Sequence, residues 1–157
     1  MSFFTTAAHA DPVLGDLVRR HGYWRGQIAL GIDGDVPLAL SGGRTAPDES
    51  SVTLARELAS RYPVLRPAIE RALFEHYEPY ADAVESGEVE ELPEIPKLSR
   101  PDQVWTHVST VHVLIEPLGR VDTVEIAYQT KWDEEHTLGA RFQEWALVEL
   151  NGSVLPA

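Results

Sequence analysis

The feature that most constrains the fold is a central block of helical periodicity that separates two blocks of alternating apolar residues. Alternation marks residues 23–40 before the helical block, and it recurs over 110–116, 122–130 and 146–150 after it. Strand-like and helical segments are therefore segregated along the chain, which indicates an α+β fold rather than a doubly wound sheet. We expect an antiparallel sheet, made of an N-terminal hairpin plus a C-terminal meander, with two central helices packed on one face.

The first block predicts a β-hairpin with strands over 24–32 and 35–40. Asp33-Gly34 lies between them, and this dipeptide favours a tight type I′ turn. After the helical block, a short strand over 140–142 completes the meander together with the three longer runs. The hairpin and the meander together supply the sheet.

The central block predicts two helices, over 49–61 and 64–78, because apolar side chains recur there every three or four residues. Pro63 separates them and suits the first position of the second helix, where its missing N–H costs nothing. Pro79 is expected to kink or end that helix.

The chain length of 157 residues favours a single domain, which we place over 11–157. Residues 1–10 are predicted to be a loose tail, because they lack the basic segment and long apolar run of a signal peptide. Residues 85–96 contain five glutamates and two prolines, and this composition predicts a solvated, flexible connector.

The formal charge is −12, from 25 acidic and 13 basic residues. Such a surface repels phosphate backbones and anionic lipids, so we expect neither nucleic acid nor a membrane as a partner. A basic protein would instead be attracted. The chain has no cysteine and no apolar run of the roughly 20 residues that span a bilayer, which favours a cytoplasmic protein. The oligomeric state stays open.

Common catalytic and cofactor motifs are missing from the sequence. It contains no phosphate-binding glycine loop and no nucleophile elbow. Asp33-Gly34-Asp35 begins like a calcium loop, but Leu38 and Arg44 stand where that loop needs glycine and glutamate. We therefore expect no cofactor and assign no catalytic residue, and an enzyme is the less favoured class.

One cluster is distinctive, namely Asp133, Glu134, Glu135 and His136 directly after Trp132. Three carboxylates beside an imidazole can bind a divalent cation or form an acid–base pair. The same residues can also build a structural loop, with an Asx turn, a carboxylate–histidine pair and a tryptophan in the core. The structural interpretation is favoured, and we expect no tightly bound divalent ion.

Trp145 is a candidate contact residue, because it follows Gln143-Glu144 at a predicted hairpin tip where burial is not assured. Exposed tryptophans commonly anchor protein interfaces. The other three tryptophans, Trp24, Trp105 and Trp132, are predicted to pack in the core.

Around the distinctive cluster, the sequence resembles an uncharacterised bacterial family of unknown function. The resemblance rests on a W-D-x-E-H-x-x-G motif between two late strands, and its positions here are Trp132, Asp133, Glu135, His136 and Gly139. The segments 22–26 and 104–108 are also similar, so that the resemblance covers most of 11–152. Glycine at the last hairpin tip is usual in the family, whereas this chain has Gln143-Glu144-Trp145 there. The resemblance implies no catalytic residue.

Three functional hypotheses follow. The leading one is a non-enzymatic binding or interaction module. The first alternative is an immunity protein that neutralises a basic toxin, since the chain is small and acidic. The second is a metal-dependent hydrolase that uses residues 133–136.

Overall fold

One eight-stranded sheet and one long helix make up the part of the chain that the computed structural model describes, residues 7–89 and 95–155. The strands are β1 (Ala8–Asp11), β2 (Gly15–Arg20), β3 (Tyr23–Ala29), β4 (Asp35–Leu40), β5 (Val108–Leu118), β6 (Val121–Thr130), β7 (Leu138–Gln143) and β8 (Ala146–Asn151). The helix is α1 (Glu49–Glu85), and short 3₁₀ helices lie over Gly31–Asp33 and Pro101–His107. The predicted α+β class is confirmed.

Strand order in the sheet follows chain order, and every neighbouring pair is antiparallel except β4 and β5. These two strands are parallel, with Leu38 opposite Val113 and Leu40 opposite Ile115. The expectation of a wholly antiparallel sheet is therefore wrong at this pair. Its cause is α1, which carries the chain back along the sheet after β4, as a crossover between parallel strands must.

The two predicted helices are one continuous helix, so the expected break at Pro63 is wrong. Pro63, Pro67 and Pro79 all lie inside α1, and all three are exposed. Each proline removes one backbone hydrogen bond on the solvent side, where water can satisfy the freed carbonyl group. No helix within residues 7–89 and 95–155 combines the length and apolar character needed to cross a membrane.

The core lies between α1 and one face of the sheet. The helix contributes a buried stripe at helical spacing, consisting of Val52, Ala55, Leu58, Tyr62, Leu65, Ile69, Leu73 and Tyr77. Trp24 and Trp132 are buried, whereas Trp105 is only partly buried against the same core. The second half of α1 packs against the β6–β7 loop, where Tyr77 contacts the ring of Trp132.

The hairpin of β3 and β4 is present, but its connection differs from the predicted two-residue turn. Residues 30–34 form a longer loop that includes a 3₁₀ turn. Asp33 points towards α1, where its carboxylate accepts hydrogen bonds from Tyr62 and, at 3.1 Å, from Arg66. The dipeptide Asp33-Gly34 therefore does not by itself predict this connection, in which Asp33 is bonded to α1.

The predicted loose tail over residues 1–10 is partly replaced by structure, because residues 8–10 belong to β1 and pair with β2. The buried carboxylate of Asp11 anchors this strand. It accepts hydrogen bonds from the backbone N–H groups of Val13 and Leu14 and pairs with Arg56 of α1. Residues 1–6, and residues 90–94 of the predicted acidic connector, lie outside the described part of the chain.

Candidate functional site

The loop between β6 and β7 packs against the C-terminal half of α1 through Trp132. Its indole ring meets Tyr77 edge-on, with centroids 5.4 Å apart, and its Nε1–H donates to Nδ1 of His76 at 3.0 Å. Because Nδ1 of His76 accepts this bond, the neutral ring carries its proton on Nε2. Burial lowers the pKa of His76, which favours this neutral form.

Asp133 is the centre of the loop's hydrogen bonding. Its buried carboxylate accepts from the Tyr80 hydroxyl at 2.9 Å and contacts Nδ1 of His136 at 3.0 Å. The backbone N–H of Asp133 donates to Oγ1 of Thr130 at 3.2 Å. Burial by itself would raise the pKa of Asp133, but the hydrogen bonds from His136 and Tyr80 outweigh it and lower the pKa. The carboxylate is therefore ionised at neutral pH.

Tyr80 completes this arrangement from the helix side. Burial, together with its hydrogen bond to the Asp133 carboxylate, raises the pKa of Tyr80 to about 12. The hydroxyl therefore stays protonated and acts as a donor. His136 remains about half exposed, with 48% of its side chain accessible.

The structure brings Asp133 and His136 together, but it does not bring Glu134 or Glu135 to them. Both glutamates are exposed on the rim of the loop. Across residues 7–89 and 95–155, no three histidine, aspartate or glutamate side chains are grouped to hold a metal ion. The expected absence of a tightly bound divalent ion stays a prediction.

A groove of about 730 Å³ lies between the end of α1 and this loop. Its walls are largely apolar and come from Pro79, Ala83, Val89 and Ile95. The aromatic ring of Tyr80 also lines it. Beside these walls lie the charged and polar residues of the loop, Lys131, Asp133, Glu134, Glu135 and His136.

The groove sits at what we call the acidic end, the surface formed by residues 75–89 and 131–136. These two segments contain eight carboxylates and one lysine, a formal charge of −7 out of the −12 of the chain. The last turn of α1 has no basic residue, although the C-terminal end of a helix carries partial negative charge and favours cations. Asp82 and Glu85 add like charge there instead. The two segments of the acidic end therefore carry a clear excess of negative charge.

Trp145 lies elsewhere. Its indole N–H donates to Glu57 at 2.9 Å, and the Arg61 guanidinium lies 5.1 Å from its ring centroid. At 1.5 Å per helical residue, Arg61 and Tyr80 are about 30 Å apart along α1. Trp145 is partly buried and already engaged within the chain, so it does not join the loop cluster.

A second concavity, of about 1020 Å³, lies on the sheet face that α1 does not cover. It is lined by Arg20 and Arg25 but also by Asp16, so it shows no single sign of charge. His112 lines it next to a β-bulge, and its Nε2 is buried without a hydrogen-bond partner in the described part of the chain. Because that atom has essentially no accessible surface, a ligand in the concavity would not contact it, and it gives no evidence of a binding site.

His76 and Tyr80 are the site residues that sequence reasoning did not assign. Both appear in the sequence as members of the apolar stripe of a helix. Their four-residue spacing places the two polar tips on one face, about one turn apart, and this was the available signal. Only the packing of the β6–β7 loop shows which residues they meet.

Fold and site together define an α+β protein in which a single helix covers one sheet face and an apolar groove opens at its acidic end. The chain belongs to the family described as Domain of unknown function (DUF6985), whose model matches residues 13–154. This match spans β2 to β8, α1 and the site, and it confirms the expected relation to a family of unknown function. No curated protein and no solved structure matches the chain.

Proposed function

We propose that this protein is a non-enzymatic interaction module that binds a basic protein partner at its acidic end. The observation that carries the proposal is the formal charge of −7 on residues 75–89 and 131–136, the same two segments that supply most of the lining of an apolar groove. A surface that combines apolar walls with a charged rim has the composition of a recognition site.

Two electrostatic effects support a cationic partner. Placing positive charge at the C-terminal end of α1 is favourable by about 0.3–1 kcal/mol per charge at exposed positions, and the chain supplies none in the last turn. The clustered carboxylates would also speed the approach of a basic protein. Both effects weaken with salt, because the Debye length is only about 8 Å at physiological ionic strength.

A basic toxin is one partner with this chemistry, and in that case the protein would act as a bacterial immunity protein. The small size and strong acidity of the chain support this narrower version of the proposal. Protection of cells that express such a toxin, lost when the acidic end is reversed in charge, would distinguish it from binding without neutralisation.

A hydrolase is the second candidate, and the contact between Asp133 and His136 is the observation that favours it. A buried carboxylate on Nδ1 orients an imidazole so that Nε2 can act as a general base. The described lining of the groove contains no serine, threonine or cysteine, so water would be the nucleophile. Stoichiometric zinc or manganese by elemental analysis, lost in His136→Ala, would support the metal-dependent form of this candidate.

The interaction proposal is tested by recovering partners from a lysate of the native host at low and high salt. Two triple variants change the net charge equally, and all six substituted positions are exposed. The acidic-end variant carries Glu78→Lys, Asp82→Lys and Glu85→Lys. The control variant carries Asp16→Lys, Asp35→Lys and Glu144→Lys.

We expect the wild type and the control variant to retain a basic protein at low salt and to release it at high salt. The acidic-end variant should not retain it. Equal retention by both variants, or no specific basic partner even at low salt, would contradict the proposal.

A further inference from the structure

Resting on the proposed function, we infer that the groove at the acidic end receives one large aromatic side chain from a positively charged segment of the partner. The acidic end supplies the attraction, whereas the groove supplies the apolar contact. The sequence suggested Trp145 as the aromatic anchor of the interface. Here the aromatic anchor belongs to the partner, and the groove of this chain receives it.

The floor of the groove is preformed, because hydrogen bonds hold the β6–β7 loop against α1. Trp132 is held by His76 at 3.0 Å, and Asp133 is held by Tyr80 at 2.9 Å. These bonds join the β6–β7 loop to consecutive turns of α1. A side chain that enters therefore meets a floor that needs little ordering, and ordering is a main cost of association.

The size and lining of the groove fit an aromatic ring. Its volume of about 730 Å³ lies within the roughly 300–1,000 Å³ that binding pockets span, which leaves room for one aromatic side chain and the neighbouring residues of the same segment. Pro79, Ala83, Val89 and Ile95 offer apolar contacts, and Tyr80 offers a ring edge or face. An aromatic side chain buries about 150–250 Å² in such a place, more than an aliphatic one.

The charge around the groove selects the rest of the occupant. Glu134 and Glu135 stand on its rim beside one lysine, Lys131. Outside the lining, residues 75–89 add five carboxylates and no lysine or arginine. A second copy of this chain would bring its own formal charge of −12 and be repelled, as would a nucleic acid. A segment with lysine or arginine on either side of the aromatic residue complements both the walls and the rim.

Synthetic peptides with blocked ends test this inference by direct measurement of dissociation constants. The probes are Lys-Lys-Trp-Lys-Lys, Lys-Lys-Gly-Lys-Lys and Ser-Ser-Trp-Ser-Ser. We expect the first peptide to bind the wild type at least about tenfold more tightly than either of the others, because it alone uses both groove and rim. Added salt should weaken the two lysine peptides.

Ala83→Phe fills the groove from the half-exposed side of α1, and Val64→Phe is its matched control because Val64 is 80% exposed on the same helix. Ala83→Phe should remove the advantage of the tryptophan peptide over the glycine peptide, whereas Val64→Phe should preserve it. The double change Glu134→Lys and Glu135→Lys should weaken both lysine peptides alike. Circular dichroism and thermal melting check that each variant is folded.

The outcomes separate the two proposals. Equal affinity for the first two peptides, or an advantage that survives Ala83→Phe, would overturn the groove assignment and leave the acidic-end proposal standing. Both proposals would be overturned if neither lysine peptide binds, or if the affinity of the lysine peptides does not depend on salt concentration. Equal affinity for the serine-flanked and lysine-flanked tryptophan peptides would overturn the proposal that the partner is basic.

Discussion

Trp132 and Asp133, in the loop that forms the groove floor, and Gly139, near the start of β7, each have a packing or bonding role. Trp132 is 3% exposed and bonded to α1, and Asp133 accepts hydrogen bonds from two side chains. Gly139 has no room for a side chain, because an added Cβ would lie 2.6 Å from Val154 and 2.8 Å from Glu125. A contribution to stability, rather than a catalytic role, therefore explains three positions of the W-D-x-E-H-x-x-G pattern.

At this scale, Trp132→Ala is expected to lower the free energy of unfolding by about 3–5 kcal/mol, because it removes a large buried aromatic side chain. Trp132→Phe keeps most of the apolar contact but leaves Nδ1 of His76 without its donor, and it should cost about 1–3 kcal/mol. Urea denaturation measures both changes. A loss below about 1 kcal/mol in the alanine variant would show that the loop is not anchored through this residue.

The helix α1 shows how an element can persist against its local sequence. Three internal prolines weaken it, but its buried stripe runs without interruption from Val52 to Tyr77 against the sheet. Tertiary packing supplies most of the stability of such a helix. Because the prolines face solvent, their freed carbonyl groups are not buried, and the continuous helix remains the favourable arrangement.

Pro63→Ala should therefore stabilise the protein, by about 1–3 kcal/mol, since it restores one helical hydrogen bond and relieves the ring clash. Pro12→Ala is the control, because Pro12 is exposed in a turn and lies outside any helix. Its effect should stay within about 0.5 kcal/mol. If Pro63→Ala were destabilising, the proline would instead be required for the path of the helix.

Across the whole molecule, paired charges hold one end of α1, whereas the other end carries excess negative charge. The ion pair of Asp11 and Arg56 ties the edge strand β1 to α1, and Arg66 ties the β3–β4 loop to the same helix through Asp33. The acidic end, in contrast, has eight carboxylates and one lysine in its two segments. The N-terminal half of α1 is thus held by paired charges, and its C-terminal end is left negative.

Acid should remove the first of these ties in a defined pH window. The hydrogen bond from Arg56 lowers the pKa of Asp11 to about 2, against an ordinary value of 3.8. Its folded-state pKa is depressed, so its contribution is complete above pH 3.8 and is lost as pH falls towards 2. Asp11→Asn should therefore be less stable than the wild type at pH 5 and converge with it near pH 2.

Urea titrations at several pH values between these limits measure this dependence. Asp16→Asn, at an exposed neighbouring position, is the matched control and should follow the wild type in parallel. A constant difference between Asp11→Asn and the wild type over the whole range would show that the ionised carboxylate is not what holds β1.

The sequence by itself determined the strands from β3 to β8, the helical block and the unusual cluster. Alternation over 35–40, 110–116 and 122–130 predicts β4, β5 and β6, because the pleat of a strand imposes a two-residue period on any half-buried segment. The cluster at 133–136 was likewise evident from residue types alone. Each of these inferences depends only on neighbours in the chain.

Only the tertiary structure decided how those pieces meet. The continuity of α1 through Pro63, the parallel pairing of β4 with β5, and the contact of Tyr80 with Asp133 all depend on residues distant in sequence. Local periodicity reports which side of an element is apolar, but not which element that side will face. The gain from burying the α1 stripe on the sheet exceeds the local cost of a proline, and this long-range balance has no signature in the chain itself.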